Sequence, residues 1–465
     1  MENSKKRTVI FLIMIFSALF GTVNETFLNV ALIDIANDLN VTAALAQWLV
    51  TAYMMITAIM VPITAFLYQT MNTKRLHMFA IVLILVGAVG CFFAPVFPML
   101  LIFRMIQAAG TGMIMPVMMN VVLQVTPKEQ IASKLALCNC AVFIGPALGP
   151  VIGGFLMQFF SWRSCFVFTF IVMAILLILS AIGVENISIM AKIRLDVFSI
   201  VLSSVGLAIF LIGVSIITSN TLPGIALIIV GMLILGIFAY RQTKLEMPML
   251  NISPLKDKRF VLGMILTLIA MMILFSLNAL LPTYFQGALG VTSMTSALLL
   301  IPAVFLNAMS TTISGKIIDK RGLGSMLTIG FAVVSVGLIF LTMCNAYTKI
   351  WLIILILIVA YQGLAFTMSP AQTSALSILP KEMYPHGVGL INTFLQVSAA
   401  IGSSLFGGIK ANVQANDIAM GIAENEAISH GFSVAMIVAV IFAVLGLLIS
   451  LVYARYKKRA QSTKQ

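Results

Sequence analysis

Glu25 and Arg104 are the ionisable residues that lie deepest within apolar stretches long enough to cross a lipid bilayer. A charge at that depth costs roughly 2.5 kcal/mol or more unless it is paired or hydrated, so it indicates a functional site. A rise of ~1.5 Å per helical residue places both at a similar depth. The two side chains could form a structural ion pair. We favour a carboxylate at Glu25 that binds protons in a polar cavity beside the Arg104 cation.

Asp34 lies near the end of the same apolar stretch as Glu25. We expect water to solvate it there, and we keep it as a second candidate for proton coupling after Glu25. Six amide side chains within apolar stretches could hydrogen-bond a ligand, although bonding between helices is at least as common for any one of them. They are Asn29, Gln107, Asn278, Asn307, Asn392 and Gln396. The 30 Met and 31 Phe residues suit an adaptable apolar pocket.

The composition requires membrane-spanning helices to hold these side chains. Of the 465 residues, 61% are hydrophobic and 9% are charged, whereas soluble proteins have roughly 45–50% and about 25%. This excludes a water-soluble enzyme. Apolar segments of about 20 residues recur from end to end, and we count fourteen of them. The sequence predicts an all-α integral membrane protein.

The positive charges fix the predicted orientation. With the amino terminus inside the cell, all but four of the 27 Lys and Arg residues fall on the cytoplasmic side. The exceptions are Arg104, Arg163, Lys349 and Lys410. Both termini are therefore predicted to be cytoplasmic, and the net charge of +13 reflects topology rather than nucleic-acid binding. The five cysteines imply no disulfide framework, and no phosphate-binding loop, metal cluster or nucleotide-binding domain is apparent.

Two connectors on the predicted cytoplasmic side have related sequences, which indicates an internal repeat. The matching positions are Gly315, Asp319 and Gly322 after the tenth segment, and Ala65, Gln69 and Asn72 after the second. We therefore predict two six-helix bundles separated by two extra helices. The predicted units are a first bundle at 1–185, an insertion at 186–255 and a second bundle at 256–465.

The fifth segment contains a glycine and proline string, Ile144–Gly154. Gly145, Gly149 and Gly153 recur every four residues, so they share one helical face on which another backbone can approach closely. Pro146 and Pro150 each remove a backbone donor. The string could serve helix packing alone, or it could act as a pivot that seals a transport pathway in one state.

At these positions the chain resembles the major facilitator superfamily, and within it the fourteen-helix drug:proton antiporter family. The connector that contains Gly315 and Asp319 is similar to the superfamily's repeated connector. Other similar motifs cover nearly the whole chain: Leu28–Leu32, Gln47 and Trp48 with Tyr53, Arg104 with Gln107, Ile144–Gly154, Tyr284–Gln286, Pro302, and Asn392 with Gln396. The connector after the second segment is most similar to lincomycin-resistance-type and related Gram-positive multidrug exporters.

The resemblance implies a major facilitator fold in the bacterial plasma membrane. It further implies proton-coupled export of lipophilic, often cationic, drugs and dyes by alternating access, with the proton gradient as energy source and no cofactor. The family usually has Asp where this chain has Asn24, so the acidic group is displaced to Glu25. Asn24 and Tyr284 join the candidate substrate-binding residues. Conformational roles are implied for Gly145, Pro146, Gly149, Pro150, Gly153, Gly154, Gly315 and Asp319.

Two other functions fit parts of the sequence. A facilitator or symporter for a specific small solute could also have single ionisable residues within its helices. A membrane enzyme or lipid-handling protein would need a polar catalytic cluster, and His77, His386 and His430 lie apart at helix ends or in loops. We expect a monomeric transporter whose partners are drug-like small molecules, protons and the lipid bilayer.

Overall fold

The computed structural model describes residues 2–187, 196–217, 220–321, 323 and 325–462, and every regular element within them is helical. Among these residues, 13 helices are long and apolar enough to cross a membrane. The helix Met326–Thr342, with 17 residues, is apolar but shorter. It lies where the eleventh segment is predicted. The all-α prediction is confirmed, whereas the count of fourteen spans stays a prediction. Gly322 lies outside the described residues.

Seventeen α-helices and four short 3-10 turns make up the described structure. The helices are α1 Glu2–Thr26, α2 Leu32–Asp38, α3 Ala43–Ala46, α4 Trp48–Thr70, α5 Thr73–Phe93, α6 Phe97–Val125, α7 Ile131–Phe159, α8 Ser164–Gly183, α9 Val197–Ile216, α10 Thr221–Lys244, α11 Lys258–Gly287, α12 Ser293–Arg321, α13 Met326–Thr342, α14 Ile350–Ala365, α15 Met368–Leu376, α16 Tyr384–Ala419 and α17 Glu424–Ser462. The 3-10 turns are Phe27–Val30, Lys128–Gln130, Ser253–Lys256 and Lys381–Met383. Asn72, Asp196 and Asp257 begin α5, α9 and α11 by accepting a hydrogen bond from a backbone N–H of the first turn.

The helices pack as two halves, α1–α8 and α11–α17, with α9 and α10 between them in the chain. The halves meet where α7 packs along α12 and where α4 packs against α16. Helix α9 contacts α10 and also both α4 and α16, so the inserted pair lies beside this interface. We call the end with the α4–α5, α6–α7 and α12–α13 connectors the basic end. The predicted boundaries 1–185, 186–255 and 256–465 are not tested by these contacts and stay predictions.

Two of the predicted spans are interrupted. Helix α1 ends at Thr26 and continues as the 3-10 turn Phe27–Val30, and α14 gives way to α15 at residues 366–367. The second break frees backbone carbonyls that membrane lipid cannot satisfy. The Asn307 side chain donates to the Tyr361 carbonyl, and Ser314 Oγ donates to the Ala365 carbonyl at 3.2 Å. Side chains of α12 therefore stabilise the break.

The Ile144–Gly154 string packs α7 closely against α1. A Cβ atom at Gly149 would lie 2.1 Å from Thr26 Oγ1, and one at Gly145 would lie 1.8 Å from Thr22 Oγ1. Pro150 has no N–H to donate to the Pro146 carbonyl, and Thr26 Oγ1 donates to that carbonyl at 3.3 Å instead. The string therefore holds α7 on the part of α1 that contains Glu25. Its role as a pivot stays a prediction.

Candidate functional site

A narrow cavity lies between the two halves. Helices α1, α4, α6 and α7 line it from the first half, and α11, α15 and α16 line it from the second. Its volume of about 50 Å³ holds a few water molecules, whereas drug-sized ligands occupy pockets of roughly 300–1,000 Å³. The polar residues of the lining are Thr22, Glu25, Thr57, Thr111, Asn139, Gln372, Asn392 and Gln396. The cavity must therefore widen before it can admit a drug-sized molecule.

Glu25 is the acidic residue of this lining. The residue is 8% exposed, and its carboxylate has no hydrogen bond or ion pair to another residue in the described part of the chain. Helix α1 ends one residue later, at Thr26. The carboxylate is thus buried but faces the open space of the cavity, where it can exchange a proton or meet a cation.

Arg104 of α6 lies beside Glu25 but is fully buried. Its Nη2 donates to the backbone carbonyls of Asn24 at 2.6 Å and Glu25 at 3.2 Å. Its Nη1 donates to Asn24 Oδ1 at 3.2 Å and Gln107 Oε1 at 3.0 Å. The guanidinium carbon also lies 4.0 Å from the centre of the Tyr53 ring, close enough for a cation–π interaction of about 0.5–2 kcal/mol. Carbonyl dipoles and an aromatic ring therefore surround the cation.

The structural ion pair between Glu25 and Arg104 does not form in this structure. Arg104 binds the backbone carbonyl of Glu25 and not its carboxylate, because the guanidinium is already turned toward Asn24. Asn24 also donates from Nδ2 to Tyr53 Oη at 3.0 Å, and Tyr53 Oη and Thr111 Oγ1 share a hydrogen bond of 2.6 Å. The amide of Asn24 therefore belongs to the Arg104 cluster, and the acidic residue next to it faces the cavity.

The other predicted binding residues divide between the cavity and the helix contacts around it. Asn392 and Gln396 line the cavity, and Gln107 lies in the Arg104 cluster. Asn278 accepts a hydrogen bond from Tyr361 Oη at 2.8 Å, outside the lining. Tyr284 is buried, with its ring 4.4 Å from that of Phe432 and its hydroxyl on the Asn345 carbonyl. Tyr284 packs helices together in this structure and does not reach the cavity.

Two further predicted residues lie on the exposed surface away from the basic end. Asn29 lies on the exposed side of the turn after α1, and Asp34 is exposed on α2. Neither residue lines the cavity. The nearby Asp38 carboxylate accepts from Arg163 at 2.7 Å and from Trp162 Nε1 at 3.1 Å. These two donors lower the pKa of Asp38.

Several cavity residues were absent from the predicted set. Asn139 donates from Nδ2 to Gln372 Oε1 at 2.8 Å, which joins α7 of the first half to α15 of the second. Met115, Met119, Met271 and Met368 supply much of the apolar lining. Asn139 is an amide within a predicted apolar segment, so the criterion that identified Asn392 could also have identified Asn139, whereas Gln372 lies just beyond the end of a predicted segment.

The connector residues Gly315 and Asp319 join the halves at the basic end. The Asp319 carboxylate accepts from the backbone N–H groups of Ala132 at 3.0 Å and Ser133 at 2.9 Å, at the start of α7. A Cβ atom on Gly315 would lie 2.7 Å from the Ala132 carbonyl. Helix N-termini favour negative charge, so Asp319 holds α12 on α7. A Cβ atom on Gly154, at the far end of α7, would make only an ordinary van der Waals contact with Met294 Sδ at 3.7 Å.

Comparisons with known proteins agree with this architecture. A family model described as Major Facilitator Superfamily matches residues 11–403. The chain is 32% identical over 407 residues to the lincomycin resistance protein LmrB of Bacillus subtilis, covering 86% of this chain and 84% of that protein. It is 26% identical over 403 residues to the multidrug resistance protein B homolog of Mycobacterium tuberculosis, covering 84% of this chain and 74% of that protein.

A solved structure has the same overall fold. The proton:xylose symporter XylE bound to 6-bromo-6-deoxy-D-glucose is similar with a TM-score of 0.67, and the match covers 95% of each chain. The sequence identity of that match is 15%, so the likeness concerns the fold alone.

Proposed function

We propose that this chain, which belongs to the Major Facilitator Superfamily, exports lipophilic and often cationic drugs in exchange for protons. Members of this family are transporters rather than enzymes, and the chain is a multi-pass protein of the bacterial plasma membrane. Its similarity to a lincomycin resistance protein and to a multidrug resistance homolog supports drug export. The observation that carries the proposal is the Glu25 carboxylate, which faces the cavity between the halves without a partner among the described residues.

Glu25 would couple the two movements by binding one partner at a time. With the cavity open to the outside, the carboxylate takes up a proton and the bound cation leaves. With the cavity open to the cytoplasm, the proton leaves and a cationic substrate binds the carboxylate. Arg104 stays in its shell of carbonyl groups throughout, and its charge holds the end of α1 in place beside the cavity. The proton gradient is the energy source, so the cycle needs no cofactor. One chain suffices because both halves that line the cavity belong to it.

We further propose fourteen spans with both termini in the cytoplasm, with α13 as the eleventh span. Its 17 residues extend about 26 Å at ~1.5 Å per residue, slightly less than the ~30 Å hydrocarbon core. Single cysteines at Met420 and Lys320, both exposed in the structure, should react from opposite sides of intact cells after the five native cysteines are replaced. Labelling of both positions from the same side would refute this topology.

The coupling is tested with Glu25→Gln in proteoliposomes that report substrate flux and internal pH together. The substitution keeps size and hydrogen bonding but removes the titrating group, so substrate-dependent proton movement should fall to background. Glu246→Gln, on an exposed connector, is the matched control and should retain coupling. Full coupling in Glu25→Gln would refute the assignment and direct attention to Asp34. Substrate flux without proton movement in the native chain would favour the alternative, a facilitator.

A further inference from the structure

Two amide side chains of the second half donate to one sulfur atom of the first half at the end of the cavity nearest the basic end. Gln372 Nε2 of α15 lies 3.8 Å from Met119 Sδ, and Asn392 Nδ2 of α16 lies 3.2 Å from the same atom. All three residues line the cavity and are buried. We call Gln372 and Asn392 the amide pair. It gives the cavity two N–H donor groups that come from different helices.

Neighbouring contacts orient both amides. Gln372 Oε1 accepts from Asn139 Nδ2 at 2.8 Å, so the nitrogen of Gln372 must point the other way, toward Met119. Asn392 Nδ2 also donates to the Val388 carbonyl at 2.9 Å, one turn back on its own helix. Each nitrogen has two hydrogens, so one N–H of Asn392 satisfies its helix and the other is directed at the sulfur. Asn139 and Val388 thus position the amide pair before any ligand arrives.

The shared acceptor is a poor one. A thioether sulfur is only a weak hydrogen-bond acceptor, whereas a carbonyl or ether oxygen is a strong one. Buried amide donors gain most from a full partner, because an unsatisfied donor loses its hydration without compensation. Met119 is also unbranched and can change rotamer at little cost. A ligand oxygen can therefore take the place of the sulfur and improve both hydrogen bonds.

We propose that the amide pair selects substrates that carry a hydrogen-bond acceptor oxygen as well as a positive charge. The oxygen displaces Met119 Sδ from Gln372 and Asn392, while the cation binds Glu25 at the other end of the cavity. At ~1.5 Å per residue, Asn392 lies about 12 Å along α16 from its first residue, and Glu25 lies about 26 Å along α1 from Thr8. Glu25 is therefore farther from the basic end than Asn392, and the two sites differ in depth. The preferred class is lipophilic amines with a ketone, amide or ether oxygen. This inference rests on the proposed function, because it assumes that cations bind at Glu25.

The test measures binding and not transport, so that it can be separated from proton coupling. The purified full chain in lipid nanodiscs is titrated with two tertiary amines of the same skeleton, one with a ketone and one with a methylene group in its place. The native chain should bind the ketone about three- to tenfold more tightly, as expected for one or two improved hydrogen bonds. Gln372→Met and Asn392→Leu keep side-chain volume but remove the donors, so each should reduce that preference toward one.

The matched control is Gln362→Met, which makes the same change on α14 away from the cavity lining and should retain the native preference. Met119→Leu removes the competing acceptor and should keep or increase the preference for the ketone. Equal binding of the two amines by the native chain would overturn the proposal. So would an unchanged preference in both amide variants, or an equal loss of affinity for both amines, which indicates that the pair only holds the halves together. Failure of proton coupling would appear in the proteoliposome assay and not in the ratio of the affinities for the two amines.

Discussion

The two repeated connectors at the basic end differ in how they join the halves. In the last turns of α12, Gly315 lets α7 approach, and Asp319 accepts from two backbone N–H groups at the start of α7. In the last turns of α4, Ala65 packs against Gly389 of α16, but Gln69 donates back to the Ala65 carbonyl of its own helix at 2.8 Å. One connector is therefore a charged contact between halves, and the other is a neutral contact that relies on packing. The basic end is therefore held mainly on the side of α7 and α12.

The largest effect should come from removing the close approach at Gly315. Gly315→Leu places a branched side chain where a Cβ atom alone would lie 2.7 Å from the Ala132 carbonyl and the Ala136 side chain. Helices α7 and α12 must then separate at the basic end, so we expect transport to fall at least tenfold. Initial efflux rates are measured per amount of inserted protein. Gly407→Leu, where a Cβ would meet nothing within 4 Å, is the control, and equal rates for the two variants would contradict the prediction.

The next effect should come from the charge at Asp319. Asp319→Asn keeps the size of the side chain but removes the negative charge from the start of α7, an interaction of about 0.3–2 kcal/mol. We expect the transport rate to fall roughly three- to tenfold. The accessibility of the cavity from the cytoplasm should change by a similar factor. Gln69→Asn at the equivalent position should stay within twofold of the native rate. Equal losses at both positions would remove the asymmetry between the connectors.

A smaller effect is expected from adding the missing charge to the other connector. Gln69→Asp gives the α4 connector the residue type that stands at Asp319, but the facing helix α16 has Pro385 in its first turn, which lacks an N–H donor. We expect less than a twofold change in the same efflux assay. A change of threefold or more would show that a carboxylate alone converts one kind of connector into the other.

The smallest effect should come from a carboxylate contact that lies within one half. Arg163 and Trp162 lower the pKa of Asp38, so this contact stabilises the fold above the ordinary pKa of Asp, ~3.9, and the contribution is lost as the pH falls through the lower folded value. Arg163→Gln should cost less than about 1 kcal/mol of stability, because water reaches both side chains, which are 28% and 47% exposed. Thermal unfolding in detergent should show a small difference at pH 7 that vanishes in acid, with transport unchanged. A large loss of transport would mean that this contact also takes part in the cycle.

Much of the fold could be predicted from the sequence because membrane crossing leaves few alternatives. Apolar segments of sufficient length predicted the helices without knowledge of their contacts, whereas the orientation predicted from the positions of Lys and Arg stays a prediction. The interruptions after Thr26 and Ala365 could not be predicted, since they depend on partners such as Asn307 that lie far away in the sequence. Propensity alone does not identify where another helix will satisfy freed carbonyls.

The candidate site was predictable where a polar residue stands alone in an apolar segment, as at Glu25 and Asn392. Gln372 was missed because the twelfth apolar segment is predicted at about 350–370, whereas α15 continues to Leu376. Asn139 was missed although it lies within the fifth predicted segment, between two cysteines. Tyr284 was assigned to the cavity by resemblance alone, and α11 is apolar on all sides, so its sequence does not reveal which face meets α17.

If Glu25 couples the exchange as proposed, the single carboxylate among the described lining residues determines how the membrane voltage acts on the cycle. A single proton that moves in while a singly charged cation moves out transfers no net charge, so that exchange is electroneutral and responds to the pH gradient alone. A neutral substrate exchanged for the same proton moves one charge, and a potential of 100 mV then contributes about 2.3 kcal/mol per cycle. In the proposed exchange, one acidic side chain in the cavity would make export of neutral compounds electrogenic and leave export of monovalent cations indifferent to voltage.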